Sequence, residues 1–145
     1  MKKIIPVVSI VLLVLTLAAC GGLLDSFLID PALQGRLESF VAKINDQDWE
    51  NLYTEMHPDA LNYEQSKDGA VWSALFPNSD YAIPFNPSTE GQEEGIRTMN
   101  SSISYVVADS TITDPIIAFT FKQSGSLWYI YKIVWGSDEI FRKLK

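Results

Sequence analysis

The amino-acid sequence predicts an α+β domain in which N-terminal helices pack on a curved antiparallel sheet. Near the start, Leu33, Leu37, Phe40, Val41 and Ile44 repeat at helical spacing and form one apolar stripe. Three β-rich runs close the chain, at residues 103–112, 116–122 and 127–135. The pairs Asp114-Pro115 and Ser124-Gly125 separate those runs, as turn residues do in an antiparallel meander.

The first helix opens at Asp30-Pro31, where a carboxylate N-cap precedes a proline at the first helical position. Gln34, Arg36, Glu38, Lys43 and Gln47 fall outside its apolar stripe. Asp48 is a second N-cap, opening residues 49–56, where Trp49, Leu52, Tyr53 and Met56 repeat the helical period. His57-Pro58-Asp59 ends that segment, because the residue before a proline leaves the α region. A short strand is expected at 60–65 and a third helix at 69–76, with Val71, Trp72 and Leu75 on one side. Residues 77–102 carry Pro77, Pro84, Pro87, Gly91 and Gly95, and read as a long loop or lid with a short strand at 81–85. In the last strand, strict alternation puts Leu127, Tyr129, Tyr131, Ile133 and Trp135 on one face and Trp128, Ile130, Lys132 and Val134 on the other. Both sets are largely apolar, so the second face is expected to be covered, with a homodimer through the sheet as one means. Residues 138–145 read as a short helix or a frayed tail.

The N-terminal residues read as an address. Lys2 and Lys3 precede an apolar run of sixteen residues, 4–19, which is short for a bilayer span of ~20 residues and suits a signal peptide. Small residues then lead into the single cysteine, as Leu17-Ala18-Ala19-Cys20-Gly21-Gly22. This order resembles the lipobox of bacterial lipoproteins. The resemblance implies a signal peptide at 1–19, lipid attachment at Cys20 and an apolar tether at 20–30, with the domain proper at 31–145. It also implies a membrane partner through that anchor at the cell envelope. Gly21 replaces the aspartate that commonly means inner-membrane retention, so the resemblance implies the outer membrane in a Gram-negative cell and otherwise the outer face of the cell membrane. Without Lys2 and Lys3 the chain keeps nine basic against eighteen acidic residues, a net charge of −9 that opposes anionic head groups. The same balance excludes an electrostatic nucleic-acid binder.

The stretch Phe40-Val41-Ala42-Lys43-Ile44-Asn45-Asp46-Gln47-Asp48-Trp49-Glu50-Asn51-Leu52-Tyr53, closing with His57-Pro58-Asp59-Ala60, resembles the helix-break-helix opening of the NTF2-like (cystatin-like α+β cone) superfamily. That resemblance implies a cone whose concave sheet and helices enclose a pocket. Superfamily members include isomerases, dehydratases and hydrolases, and also binding modules without catalysis, so the fold alone does not assign a function.

One histidine and one cysteine leave few chemistries open. A structural zinc site needs about four such ligands, so none is expected, and no cofactor is implied. Asp46, Asp48 and Glu50 mimic the start of a calcium loop, but Asn51 stands where glycine is required and His57 where the closing glutamate belongs. His57 reads first as a helix-terminus residue. In an enzyme of this fold, His57 or a pocket carboxylate such as Asp109 would be the base. Seventeen aromatic residues are present, and they read first as core. Their functional reading is a pocket for a small apolar ligand, lined by Trp72, Tyr129, Tyr131 and Trp135. The resulting expectation is a lipid-anchored, non-catalytic binding or protein-interaction module at the envelope. The alternative is a small-molecule enzyme, isomerase- or dehydratase-like, using the cone pocket.

Overall fold

The computed structural model describes residues 30–86, 93–136 and 138–139. The expected signal peptide, lipid-attachment cysteine and tether up to residue 29 lie outside the described residues, as does residue 87–92 of the middle loop. No described helix is long and apolar enough to cross a membrane.

Helix α1 spans Pro31–Asn45, and the Asp30 carboxylate caps it by accepting from the Ala32 amide at 3.0 Å. Its buried residues are Leu33, Leu37, Phe40 and Ile44, the predicted stripe apart from Val41, which is only partly buried. The segment after Asp48 is a 3-10 helix, Trp49–Glu55, and not an α-helix. Asp48 makes no capping bond there, because its carboxylate is taken by the Asn51 side-chain amide at 2.7 Å.

The strand expected at 60–65 is absent. His57-Pro58-Asp59 turns the chain locally, the Ala60 amide bonds the His57 carbonyl, and a second 3-10 helix, Gln65–Lys67, follows. Helix α2, Gly69–Leu75, starts at an Asp68 cap as a full α-helical turn.

Five antiparallel strands form one sheet in sequence order: β1 Ser79–Ala82, β2 Ile96–Val107, β3 Ser110–Ser124, β4 Leu127–Trp135 and β5 Asp138–Glu139. The turn between β2 and β3 is at Ala108-Asp109 and not at Asp114-Pro115, through which β3 runs without stopping. Ala108 and Asp109 have φ of 46° and 63°, the left-handed pair of a two-residue hairpin. Pro115 is tolerated because the register shifts at that point and β4 pairs with β3 only from Ile117 onward.

The alternation expected for β4 also fails, for one reason. Thr120 pairs with Lys132 and Phe121 with Ile130, so Tyr131 is an extra residue in a β-bulge. The bulge resets the phase. Trp128, Ile130 and Ile133 are buried and Trp135 stacks on Phe76, while Tyr129 lies against Arg36 and His57 and Lys132 is exposed. Trp128 and Lys132 are therefore not neighbours on one face. Among the described residues the outer face carries Thr98, Asn100, Ser104, Ala118 and Thr120 beside Val106 and Val134, so it is less apolar than strict alternation implies.

The core lies between α1, α2 and the concave side of the sheet. Phe40 is its hub, with Trp72, Phe76 and Phe119 rings edge-on at 5.8, 6.0 and 5.9 Å. Each of these aromatic pairs adds about 0.5–1.5 kcal/mol beyond the area it buries.

Candidate functional site

Two clusters of polar and aromatic side chains flank that core. The first lies along α1, from Arg36 to Lys43 in its last turn. Arg36, Ser39 and Lys43 share one stripe of α1 and converge on Glu55, which is 2% exposed. Its carboxylate meets Arg36 Nη1 at 2.6 Å, Lys43 Nζ at 2.7 Å and Ser39 Oγ at 2.8 Å. Burial alone would raise the Glu55 pKa, but bonds from Lys43, Arg36 and Ser39 outweigh it and hold the group below its usual range. Arg36 also donates Nε to the Trp128 carbonyl at 2.7 Å and lies 4.6 Å from the Tyr129 ring. This cluster clamps α1 to β4. Residues outside an apolar stripe read as a solvated face, which is why the sequence did not single them out.

His57 extends the clamp. Its amide bonds the Ile130 carbonyl at 2.7 Å, so the segment rides along the edge of β4, and its ring lies 6.1 Å from Tyr129 and 6.0 Å from Tyr131. The His57 Nδ1 accepts from the Asp59 amide at 3.0 Å. Burial, then the nearby Lys122 ammonium, push its pKa down, against the pull of Asp59. A buried, neutral imidazole whose Nδ1 lone pair is occupied is poorly placed to take a proton from a ligand. Lys122 itself is held by Asp59 at 2.8 Å.

The second cluster lies at the opposite end of β4. Trp135 stacks on Phe76 at 5.7 Å and meets Tyr105 edge-on at 5.9 Å, and Tyr81 closes the group against Phe76 and Tyr105. One carboxylate stands among these rings. Asp114 Oδ2 accepts from Trp135 Nε1 at 2.9 Å and from the Tyr105 hydroxyl at 3.2 Å. Burial, then the Asp114 charge, raise the Tyr105 pKa. Beside them is an open recess of about 290 Å³ lined by Asp114, Pro115, Ile116, Trp135 and Gly136.

The four aromatics expected to line one pocket are not brought together. Trp72 is fully buried in the core and donates Nε1 to the Ser66 carbonyl at 2.7 Å. Tyr129 and Tyr131 belong to the His57 side. Of the four, only Trp135 borders the open end. Tyr131 also touches a cavity of about 30 Å³, space for a water and not for a ligand. Asp109 is exposed in the β2–β3 turn, where a left-handed φ and not acid–base chemistry explains it. Among the described residues, no group of three or more His, Cys, Asp or Glu is placed to hold a metal ion.

No family model and no curated protein matches the chain. Solved structures do. One, named Rd1NTF2_05 and carrying five substitutions, superposes with a TM-score of 0.56 at 15% identity, covering 72% of this chain and 96% of its own. The solution structure of a SEC-C motif containing protein from Rhodopseudomonas palustris also scores 0.56 at 15% identity, covering 81% and 88%.

The fold is NTF2-like.

In this NTF2-like cone, the centre is occupied by the chain's own rings. Phe40, Trp72, Phe76, Phe119 and Phe121 are each at most 1% exposed. Open ground includes the rim near Asp114 and Trp135 and a wider recess of about 850 Å³ beside it, lined by Pro84, Phe85, Asn100, Ser101, Pro115 and Ile116 among others. Sequence reasoning missed Asp114 because the Asp-Pro pair reads as a turn. The signal that could have found it is its place in a β-rich run facing Tyr105 across the hairpin.

Proposed function

We propose that this protein is a lipid-anchored envelope component whose NTF2-like domain is a non-catalytic binding or protein-interaction module. The observation that carries the module reading is the aromatic filling of the cone by Phe40, Trp72, Phe76 and Phe119, which leaves recognition to the surface. The placement of the acid–base candidates supports the same reading. His57 is buried with its Nδ1 lone pair used, Asp109 is a solvated turn residue, and Asp114 is bonded to two donors.

The anchor reading rests on Leu17-Ala18-Ala19-Cys20 and on the apolar run before it. Two or three acyl chains at Cys20, at ~0.8 kcal/mol per buried methylene, make attachment effectively permanent. With Gly21 following, the domain belongs to the outer membrane of a Gram-negative cell, or otherwise to the outer face of the cell membrane. α1 begins close behind the anchor and packs by Arg36 against the start of β4.

Intact mass spectrometry of the protein extracted from membranes tests both parts. The reading expects a chain beginning at Cys20 with acyl mass on it, and Cys20→Ser abolishing both changes. It expects any co-purifying partner to be lost on substitution at the rim. An unmodified Cys20 overturns the anchor, and turnover of a small molecule overturns the module.

A further inference from the structure

The β2–β3 hairpin projects past the end of β4, and among the described residues this leaves one strand edge without a neighbour. β4 pairs with β3 only as far as Ile117–Trp135, and the last rung is the Gly136 amide on the Ile116 carbonyl at 3.0 Å. At Gly136, φ is 67° and the chain doubles back, so β5 pairs with β4 instead of continuing along β3. The lane beside residues 110–116 is thereby vacated. At about 3.3 Å per residue, those seven residues offer roughly 23 Å of edge.

The hydrogen-bonding phase of that edge follows from its turn. In a two-residue hairpin the closing pair, here Val107 and Ser110, is hydrogen-bonded, and bonded pairs then alternate. Ile112 and Asp114 therefore bond to β2, opposite Tyr105 and Ile103. Thr111 and Thr113 turn their N–H and C=O groups outward, where no described strand lies. Pro115, the next outward position, has no N–H to offer.

We propose that this edge is a docking lane for an extended, basic segment of another protein, which adds a strand to β3. The proposal deepens the module reading above and rests on it. Main-chain bonds to Thr111 and Thr113 supply attachment, as in other strand-addition complexes. The adjacent recess of about 290 Å³ receives one side chain against Trp135 and Ile116. Charge selects the occupant. Asp80, Asp109 and Asp114 at this end of the sheet have no Lys or Arg in ion-pair contact among the described residues, whereas at the other end Arg36 and Lys122 are paired with Glu55 and Asp59. A second copy of a chain this acidic would bring carboxylates together along the same edge.

The test uses the full mature chain, isotope-labelled in detergent micelles, and two capped peptides, Thr-Lys-Val-Arg-Val-Thr and Thr-Glu-Val-Glu-Val-Thr. The basic peptide is expected to shift the amides of Thr111, Thr113 and Gly136 and the Trp135 indole N–H, and to bind at least about tenfold more tightly than the acidic one. Thr113→Pro removes an outward N–H without touching the β2 ladder, and is expected to weaken binding by about tenfold while the melting temperature holds. Asp109→Lys, in the exposed turn, should weaken it less. No shift with either peptide, equal affinity for both, or binding unaffected by Thr113→Pro overturns the lane. Shifts on another face overturn it too but leave the module reading standing. Sedimentation showing a dimer that Thr113→Pro dissolves would give the lane to a second copy and overturn the proposal.

Discussion

At the end of the sheet beside α1, the Glu55 carboxylate, the Arg36 guanidinium and the His57 amide all have partners. Glu55 is enclosed by Arg36, Lys43 and Ser39, and His57 is bonded along the edge of β4. At the other end, two long strands run on past their neighbour with Val107 and Ile112 more than 40% exposed, and no described strand lies against the outward main-chain groups of Thr111 and Thr113. Both ends are made from the same β3 and β4. The difference is that one end is covered by a helix and a 3-10 segment, whereas at the other no described strand pairs with the outward edge of β3 before Ile116. Burial with complete bonding gives stability, and an uncovered edge gives somewhere to bind. On the proposed reading, recognition lies away from the half that holds the fold together.

The contrast can be broken first at the core hub. Trp72→Ala removes a fully buried ring and its bond to Ser66, and is expected to cost about 4 kcal/mol in chemical denaturation. Val107→Ala, on the arm, is expected to cost under about 1 kcal/mol, because its side chain is largely in water already.

The ion cluster is the next largest effect. Glu55→Ala leaves two cations without their shared partner, and a loss of roughly 3 kcal/mol is expected. Since the Glu55 pKa is depressed on folding, the stability it supplies is present above its ordinary value of 4.5 and lost as pH falls through the lower folded value. The urea midpoint of the native chain should therefore drop with acid in that window more steeply than that of Glu55→Gln.

His57 gives a smaller effect of related sign. Its folded pKa is pushed below 6.5, so the unfolded chain takes up a proton that the folded one refuses. The stability it contributes is present above 6.5 and declines as pH falls from there through the folded value. With a single histidine in the chain, one imidazole resonance reports it. The titration midpoint is expected below 6.5, and higher in Lys122→Met. A midpoint at or above 6.5 in the native chain would contradict the buried placement.

The smallest effect sharpens the view of the arm. Ala108 adopts a φ of 46° that a side chain disfavours, so Ala108→Gly should gain roughly 0.5 kcal/mol and leave the ion cluster untouched.

Much of this architecture was legible in the sequence, and the misses have physical causes. The α1 stripe, its Asp30 cap, the helical segment after Asp68 and the antiparallel sheet that closes the chain follow from local periodicity and capping. The face assignment of β4 did not, because one bulge at Tyr131 shifts the phase and no residue type announces a bulge. The turn at Ala108-Asp109 contains no glycine, while the Asp114-Pro115 pair carries a turn signature inside a strand. The site was harder still. Trp72 and Trp135 were both visible as aromatics, but whether a ring fills a core or borders a rim depends on tertiary placement. The Glu55 cluster joins residues from α1 to a segment nineteen positions away from Arg36, a pairing that spacing alone cannot reveal.

The most direct measurement is amide hydrogen exchange, residue by residue, on the mature chain in micelles. The account predicts alternation on the arm: Ile112 and Asp114 protected, Thr111 and Thr113 exchanging at least about tenfold faster, and His57 among the slow amides of the closed end. Equal protection of all four arm residues would mean that the edge of β3 is already covered, and would contradict the division between a closed end and an open one.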